Sequence, residues 1–114
     1  MDKKLSFVIP CFRSQKTVGS VIEEVREMLR KEAKYDYEII LVNDGSPDDV
    51  WDVIKEYAAQ DEHILGVNLA KNFGQHSAIL AGYHYCTGDY VVSLDDDGQT
   101  QAGEVPELIG ELET

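Results

Sequence analysis

Four short apolar runs, Leu5 to Pro10, Tyr37 to Val42, Ile64 to Leu69 and Tyr90 to Leu94, recur at similar intervals along the chain. Each is short enough for a buried strand, and helix-like stretches separate them, so the pattern predicts a repeated strand-helix unit. In the first interval Val18, Val21, Ile22, Val25, Met28 and Leu29 follow the i, i+3, i+4, i+7 spacing of one helix face. Glu23, Glu24, Arg26, Glu27 and Arg30 fill the other face. A second helix is predicted to open at Ser46-Pro47-Asp48-Asp49, which offers a cap, a first-turn proline and two acids suited to the helix dipole. It would carry Val50, Ile54, Tyr57 and Ala58 inward. A third helix is expected over about Gln75 to Cys86, closed by Gly88. Val105, Leu108, Ile109 and Leu112 suggest a fourth.

Strand-helix-strand crossovers are right-handed almost without exception, so these units predict an α/β fold with a Rossmann-like parallel sheet and helices on both faces. Ligands of such folds collect at the carboxyl ends of the strands. Those ends carry Pro10-Cys11-Phe12, Asn43-Asp44-Gly45-Ser46, Ala70-Lys71-Asn72-Phe73-Gly74 and Asp95-Asp96-Asp97. A strand ending in three acids delivers hard oxygen ligands to the rim, where their mutual repulsion calls for a divalent cation. Alternation puts Asp95 and Asp97 on the same side as the natural pair of ligands and turns Asp96 away.

The chain has 114 residues, enough for one small domain with a real core and short for an enzyme that holds two substrates. Ten basic residues against 22 acidic ones give a formal charge of −12, which disfavours nucleic acid and anionic lipid surfaces. A phosphate-bearing ligand would then call for a metal bridge. No apolar stretch is long enough to span a bilayer and no signal peptide precedes the first strand, so a cytoplasmic location is expected. Cys11 and Cys86 have no metal-ligand spacing and read as free thiols.

Competing motifs fail on particular residues. Ile9-Pro10-Cys11-Phe12-Arg13-Ser14 lacks the glycines of a dinucleotide turn, the P-loop pattern is absent, and the paired acids of a receiver domain are missing after the first strand. Asp95, Asp97, Gly98 and Glu104 fall on four places of a helix-loop-helix calcium loop, but Ser93 takes its first place and a strand enters it. Asp44 has two readings: a turn residue bonded to its own backbone, or a rim acceptor for a nucleobase or ribose. Lys71 is a candidate phosphate contact. His76 reads as a polar first-turn residue ahead of a general base or pyrophosphate contact, and His63 and His84 as surface or rim residues without partners.

Phe7-Val8-Ile9-Pro10, Val42-Asn43-Asp44-Gly45-Ser46, Asn72-Phe73-Gly74-Gln75-His76-Ser77-Ala78 and Leu94-Asp95-Asp96-Asp97-Gly98-Gln99 together resemble the amino-terminal part of a family 2 glycosyltransferase of GT-A fold. Within that family the 72–82 segment and the 95–99 loop are most similar to polyprenyl-phosphate glycosyltransferases. The resemblance implies a metal-dependent inverting transfer from a UDP- or GDP-sugar to a lipid phosphate, in cell-envelope biosynthesis at the cytoplasmic face of the membrane. It implies that Asp44 contacts the nucleobase, that Pro10 and Phe12 shape its pocket, and that Asp95, Asp97 and Gln99 hold Mg²⁺ or Mn²⁺. Gly45, Lys71, Asn72, Gly74 and Asp96 complete the expected donor-contacting set, and no catalytic residue is assigned. Two positions depart from the pattern. Relatives usually carry Asn-Glu where this chain has Arg13-Ser14, and paired prolines where it has Ala102 and Gly103. Relatives also continue further, so residues 1–114 are expected to be the nucleotide-sugar-binding portion of a GT-A domain, truncated after about four strands. That portion alone would be inactive and would self-associate through its open sheet edge. The rival reading is a non-catalytic metal- or nucleotide-binding α/β module.

Overall fold

A run of apolar residues buried on both sides is what a central parallel strand requires, and the first segment supplies one: every residue from Leu5 to Cys11 is buried. A computed structural model describes residues 3–31 and 35–94 of the chain. Its elements run β1 (Lys3–Cys11), α1 (Val18–Lys31), β2 (Tyr35–Asn43), α2 (Val50–Gln60), β3 (Ile64–Asn68), α3 (Gln75–Tyr83) and β4 (Tyr90–Ser93). All the strand pairs are parallel and the sheet order is β3-β2-β1-β4. The chain moves outward from β1 to β3, then returns across the sheet through α3 to lay β4 on the free side of β1. The direction of winding therefore reverses between β1 and β4.

Helices cover both faces, as the strand-helix pattern predicts. Leu5, Phe7, Ile9, Ile39 and Leu41 of the sheet pack with Val18, Val21, Ile22, Val25 and Leu29 of α1 and with Val50 and Ile54 of α2. On the opposite face Val8, Ile40 and Val42 pack with Ala78 of α3. All six apolar positions expected on the inner face of α1 are buried. At Gly82 a Cβ would lie 2.5 Å from Val8 Cγ1, so the missing side chain is what lets α3 approach the sheet.

Two predicted helix ends are displaced. α2 begins at Val50 rather than at Ser46-Pro47, because the Asp48 carboxylate accepts the Val50 N–H from outside the helix while the Ser46 hydroxyl donates to Asp48. α3 ends at Tyr83, where tighter turns take over: Tyr85 N–H bonds the Gly82 carbonyl and Cys86 N–H that of Tyr83. Gly88 is not a left-handed cap. Its N–H donates to Ser6 Oγ, and a Cβ there would stand 2.5 Å from that oxygen. Ser6 in turn donates to Glu38, which also accepts from both the N–H and the hydroxyl of Thr87. Burial pushes the Glu38 carboxyl up, but these hydrogen bonds and the Lys4 charge outweigh it and hold the group below its ordinary value. The knot ties the α3–β4 connection to the amino-terminal end of the sheet. The predicted fourth helix lies outside the described residues.

Candidate functional site

Pro10 occupies the position where the sheet opens. The Val8 carbonyl accepts the Leu94 N–H, so residues 8 and 10 of β1 turn their main-chain groups toward β4. Pro10 has no N–H to extend that ladder, whose register ends at Val8↔Ser93. β1 and β2 stay paired as far as Cys11↔Asn43. The strands thus part at the reversal of winding, the place where open α/β sheets hold ligands. There Pro10 of β1 and Phe12 just after it, Asp44 directly after β2, Asn72 and Gly74 from the β3–α3 loop, and Gln75 at the start of α3 line a cavity of about 270 Å³.

The Asp44 carboxylate does not bond its own local backbone, as a turn residue would. The residue is only 2% exposed, and its carboxylate bonds backbone far away in sequence. Oδ1 accepts the Phe73 N–H at 2.8 Å and Oδ2 the Gly74 N–H at 3.1 Å. Hydrogen bonds to an ionised acceptor are about twice as strong as neutral ones, so this carboxylate latches the β3–α3 loop onto the end of β2. The aspartate still lines the cavity, and two bonds leave acceptor capacity on its oxygens.

The two glycines at this junction are required for different reasons. Gly45 has φ 63°, and a Cβ on it would sit 2.3 Å from the Asn72 nitrogen, so the loops touch backbone to backbone. Gly74 has φ 98° and open space around it, so its backbone angle alone excludes other residues. Asn43 fastens the same loops from beneath, donating to Asn68 Oδ1 at 2.8 Å and accepting the Ser46 N–H at 3.1 Å.

The β1–α1 loop is laced to the β2–α2 loop by side chains. Arg13 N–H donates to Ser46 Oγ at 2.8 Å, Gln15 N–H to Asp48 at 3.1 Å, and Asp49 N–H to Gln15 Oε1 at 3.2 Å. Burial raises the Asp48 carboxyl, yet hydrogen bonds from Ser46, Gln15 and Val50 hold it below the usual range. Ser14 is 3% exposed and its carbonyl accepts the Thr17 and Val18 N–H groups, so it opens α1 and does not belong to the rim.

Cations stand beside the cavity on aromatic rings. The Arg13 guanidinium lies 5.3 Å from the Phe12 centroid and Lys71 Nζ 5.4 Å from that of Phe73. His76 is exposed in the first turn of α3, as expected. His63 differs from expectation: its ring stacks on Tyr37 at 4.3 Å and its Nδ1 meets Asp61 at 2.9 Å, at the amino end of β3 and away from the cavity. Gln75, which lines the cavity, was visible only as part of the Asn72 to Ala78 motif.

The expected metal ligands Asp95, Asp97 and Gln99, and Asp96 beside them, lie outside the described residues. Leu94, which precedes them, is buried and bonded to β1 at the carboxyl end of the sheet. Among the described residues no group of three or more His, Cys, Asp or Glu side chains could hold a metal ion. Among those same residues no helix is long and apolar enough to cross a membrane.

Solved structures share this architecture. S. aureus TarS superimposes with a TM-score of 0.77 at 16% identity, covering 96% of this chain and 32% of that one. TarS in complex with UDP-GlcNAc gives 0.73 at 17% identity, covering 95% of this chain and 30% of that one. A mannosyltransferase from Pyrobaculum calidifontis in complex with GDP-Man and Mn²⁺ gives 0.77 at 17% identity, covering 93% and 31%. At these identities the likeness establishes the fold, the amino-terminal part of a GT-A domain. Sequence relatives are closer. The undecaprenyl-phosphate 4-deoxy-4-formamido-L-arabinose transferase of Proteus mirabilis is 37% identical over 111 residues, covering 96% of this chain and 34% of that protein. The transferase of the same description from Pseudomonas fluorescens is 39% identical over 106 residues, covering 92% and 31%. The chain thus spans about a third of the length of these curated relatives. Because the family model described as glycosyl transferase family 2 matches residues 6–114, nearly the whole sequence, the chain belongs to that family.

Proposed function

We propose that the cavity between the ends of β1, β2 and β3 receives the nucleoside of a nucleotide-sugar donor. The whole protein then passes the sugar, with inversion, to a polyprenyl phosphate at the cytoplasmic face of the membrane. The observation that carries this reading is the lined cavity at the reversal of winding, walled by Pro10, Phe12, Asp44, Asn72, Gly74 and Gln75. Its volume of about 270 Å³ suits a base with part of its ribose and not an entire nucleotide-sugar, so the diphosphate would extend outward along the rim. Phe12 offers a ring face to the base, and the free acceptor capacity of Asp44 suits a ring N–H. Gly45 holds the junction, while Lys71 stands where a phosphate would emerge.

Relatives described as undecaprenyl-phosphate sugar transferases support the lipid acceptor, and neighbours holding UDP-GlcNAc or GDP-Man support the donor class. The Mn²⁺ of one neighbour supports a divalent cation. In this reading Asp95, Asp97 and Gln99 hold Mg²⁺ or Mn²⁺, and Asp96 belongs to the donor-contacting set. Such a cation offsets the negative charge of the departing nucleoside diphosphate.

Calorimetric titration of UDP and GDP, with Mg²⁺ and with chelator, tests the assignment. Affinity should fall with chelator and in Asp95→Ala and Asp97→Ala, and less in Asp96→Ala. Equal affinity in both conditions would remove the metal from the reading. Absence of nucleotide binding altogether would remove the donor site.

A further inference from the structure

Arg13 is the one non-glycine with positive φ among the described residues, at 56°. Asparagine or glycine adopts that conformation more readily than arginine. An outlier of this kind, fixed by the bond from its N–H to Ser46 Oγ, points to a use for the side chain. That side chain lies over Phe12, a wall of the cavity. Lys4, Arg26, Arg30 and Lys55 are each paired with a carboxylate. Among the described residues Arg13 is engaged by the Phe12 ring and, through its backbone, by the Ser46 hydroxyl, with no carboxylate partner. A ring face steadies a guanidinium without consuming its N–H donors, which remain directed by a planar fork suited to phosphate oxygens.

We propose that Arg13 is a specificity-determining residue that binds a phosphate of the nucleotide held in this cavity, giving the site a preference for nucleotide over nucleoside that needs no metal. The inference rests on the donor-site reading above. It also qualifies the argument from net charge: a chain at −12 repels phosphate on average, while Arg13, without a carboxylate partner among the described residues, sets a positive charge beside the Phe12 wall.

The test is titration of the full chain in chelator with UDP and uridine, and in parallel with GDP and guanosine. The wild type should bind its preferred nucleotide roughly tenfold more tightly than the matching nucleoside. Arg13→Gln should abolish that ratio while leaving nucleoside affinity and thermal stability unchanged, and Arg13→Lys should retain part of it. If Arg13→Gln keeps the ratio, or weakens nucleoside and nucleotide equally, the assignment is wrong and the donor site stands. If the wild type shows the preference only with Mg²⁺, the metal alone reads the phosphate and the assignment again fails. If no nucleotide binds even with Mg²⁺, the donor-site reading fails and takes this inference with it.

Discussion

Replacing Asp44 by asparagine changes one atom and should unfasten the candidate site. The carboxylate holds the Phe73 and Gly74 N–H groups on separate oxygens, and the residue is 2% exposed, so water does not readily replace a lost partner. Asparagine keeps one acceptor oxygen and turns a donor toward the other N–H. One bond to a charged group is lost, at about 1.5–3 kcal/mol, and the surviving one weakens as its acceptor becomes neutral. A total near 2–3 kcal/mol follows for Asp44→Asn, and about 3–6 kcal/mol for Asp44→Ala, which removes both acceptors. In a domain of this size that shifts the melting temperature by roughly 10 °C for asparagine. Thermal denaturation followed by circular dichroism measures it, with nucleotide titration on the same samples at a temperature where each variant is folded. The sequence alone suggests a different result, weaker binding with little loss of stability, because it shows Asp44 only as a rim residue. An Asp44→Asn protein that melts with the wild type would refute the latch. One that melts early yet binds normally when folded would confine Asp44 to that structural role.

Further expectations concern the same junction and the opposite end of the sheet. Gly45→Ala must bring a Cβ against the backbone of Lys71 and Asn72 at φ 63°, so it should destabilise the protein by at least about 2 kcal/mol and weaken nucleotide binding together, read by melting and titration. Gly82→Ala, which meets Val8 Cγ1 at 2.5 Å far from the cavity lining, should cost about 1–3 kcal/mol while leaving nucleotide affinity unchanged below its melting point. The carboxyls of Glu38, Asp48 and Asp61 are all held below their ordinary values in the folded state. Their contribution is therefore complete above the unfolded values, near pH 4 to 4.5, and disappears as pH falls through the depressed ones. Denaturant midpoints measured from pH 7 to pH 3 should drop on the acid side, and Glu38→Gln should flatten that drop while lowering stability at pH 7.

Periodicity made the scaffold legible. Strand runs and the inner face of α1 depend on local alternation, and the order of apolar segments together with crossover handedness dictates a parallel sheet with helices on both faces. Helix ends were less legible because they are decided by partners distant in sequence. Ser46 and Asp48 look like a helix cap, but Gln15 and Arg13 from another loop draw them out of the helix. Gly88 looks like a terminator, but the approach of Ser6 across the sheet is what demands a glycine there. The cavity walls Pro10, Phe12, Asp44, Asn72 and Gly74 could be named from motifs at strand ends. The task of Asp44 could not, since its two donors lie 29 and 30 residues further along the chain.

The distribution of charge at the rim follows from the same long-range contacts. Two acids of the described rim face backbone: Asp44 takes two N–H groups of the β3–α3 loop, and Asp48 those of Gln15 and Val50. Each carboxylate thereby has part of its charge offset by N–H dipoles and serves to fix one loop against another. The nearby cations Arg13 and Lys71 rest instead on Phe12 and Phe73, which neutralise nothing. A ligand approaching the cavity therefore meets Asp44 and Asp48 already engaged with the loops, and Arg13 and Lys71 without a carboxylate partner among the described residues. Net charge, summed over every exposed glutamate of α1, is the wrong quantity for judging whether a phosphate can enter. The local sum is what an anion experiences within a Debye length of about 8–10 Å. It follows that raising ionic strength should weaken nucleotide binding in chelator, whereas a site governed by the overall charge of −12 would bind anions better as salt screened it.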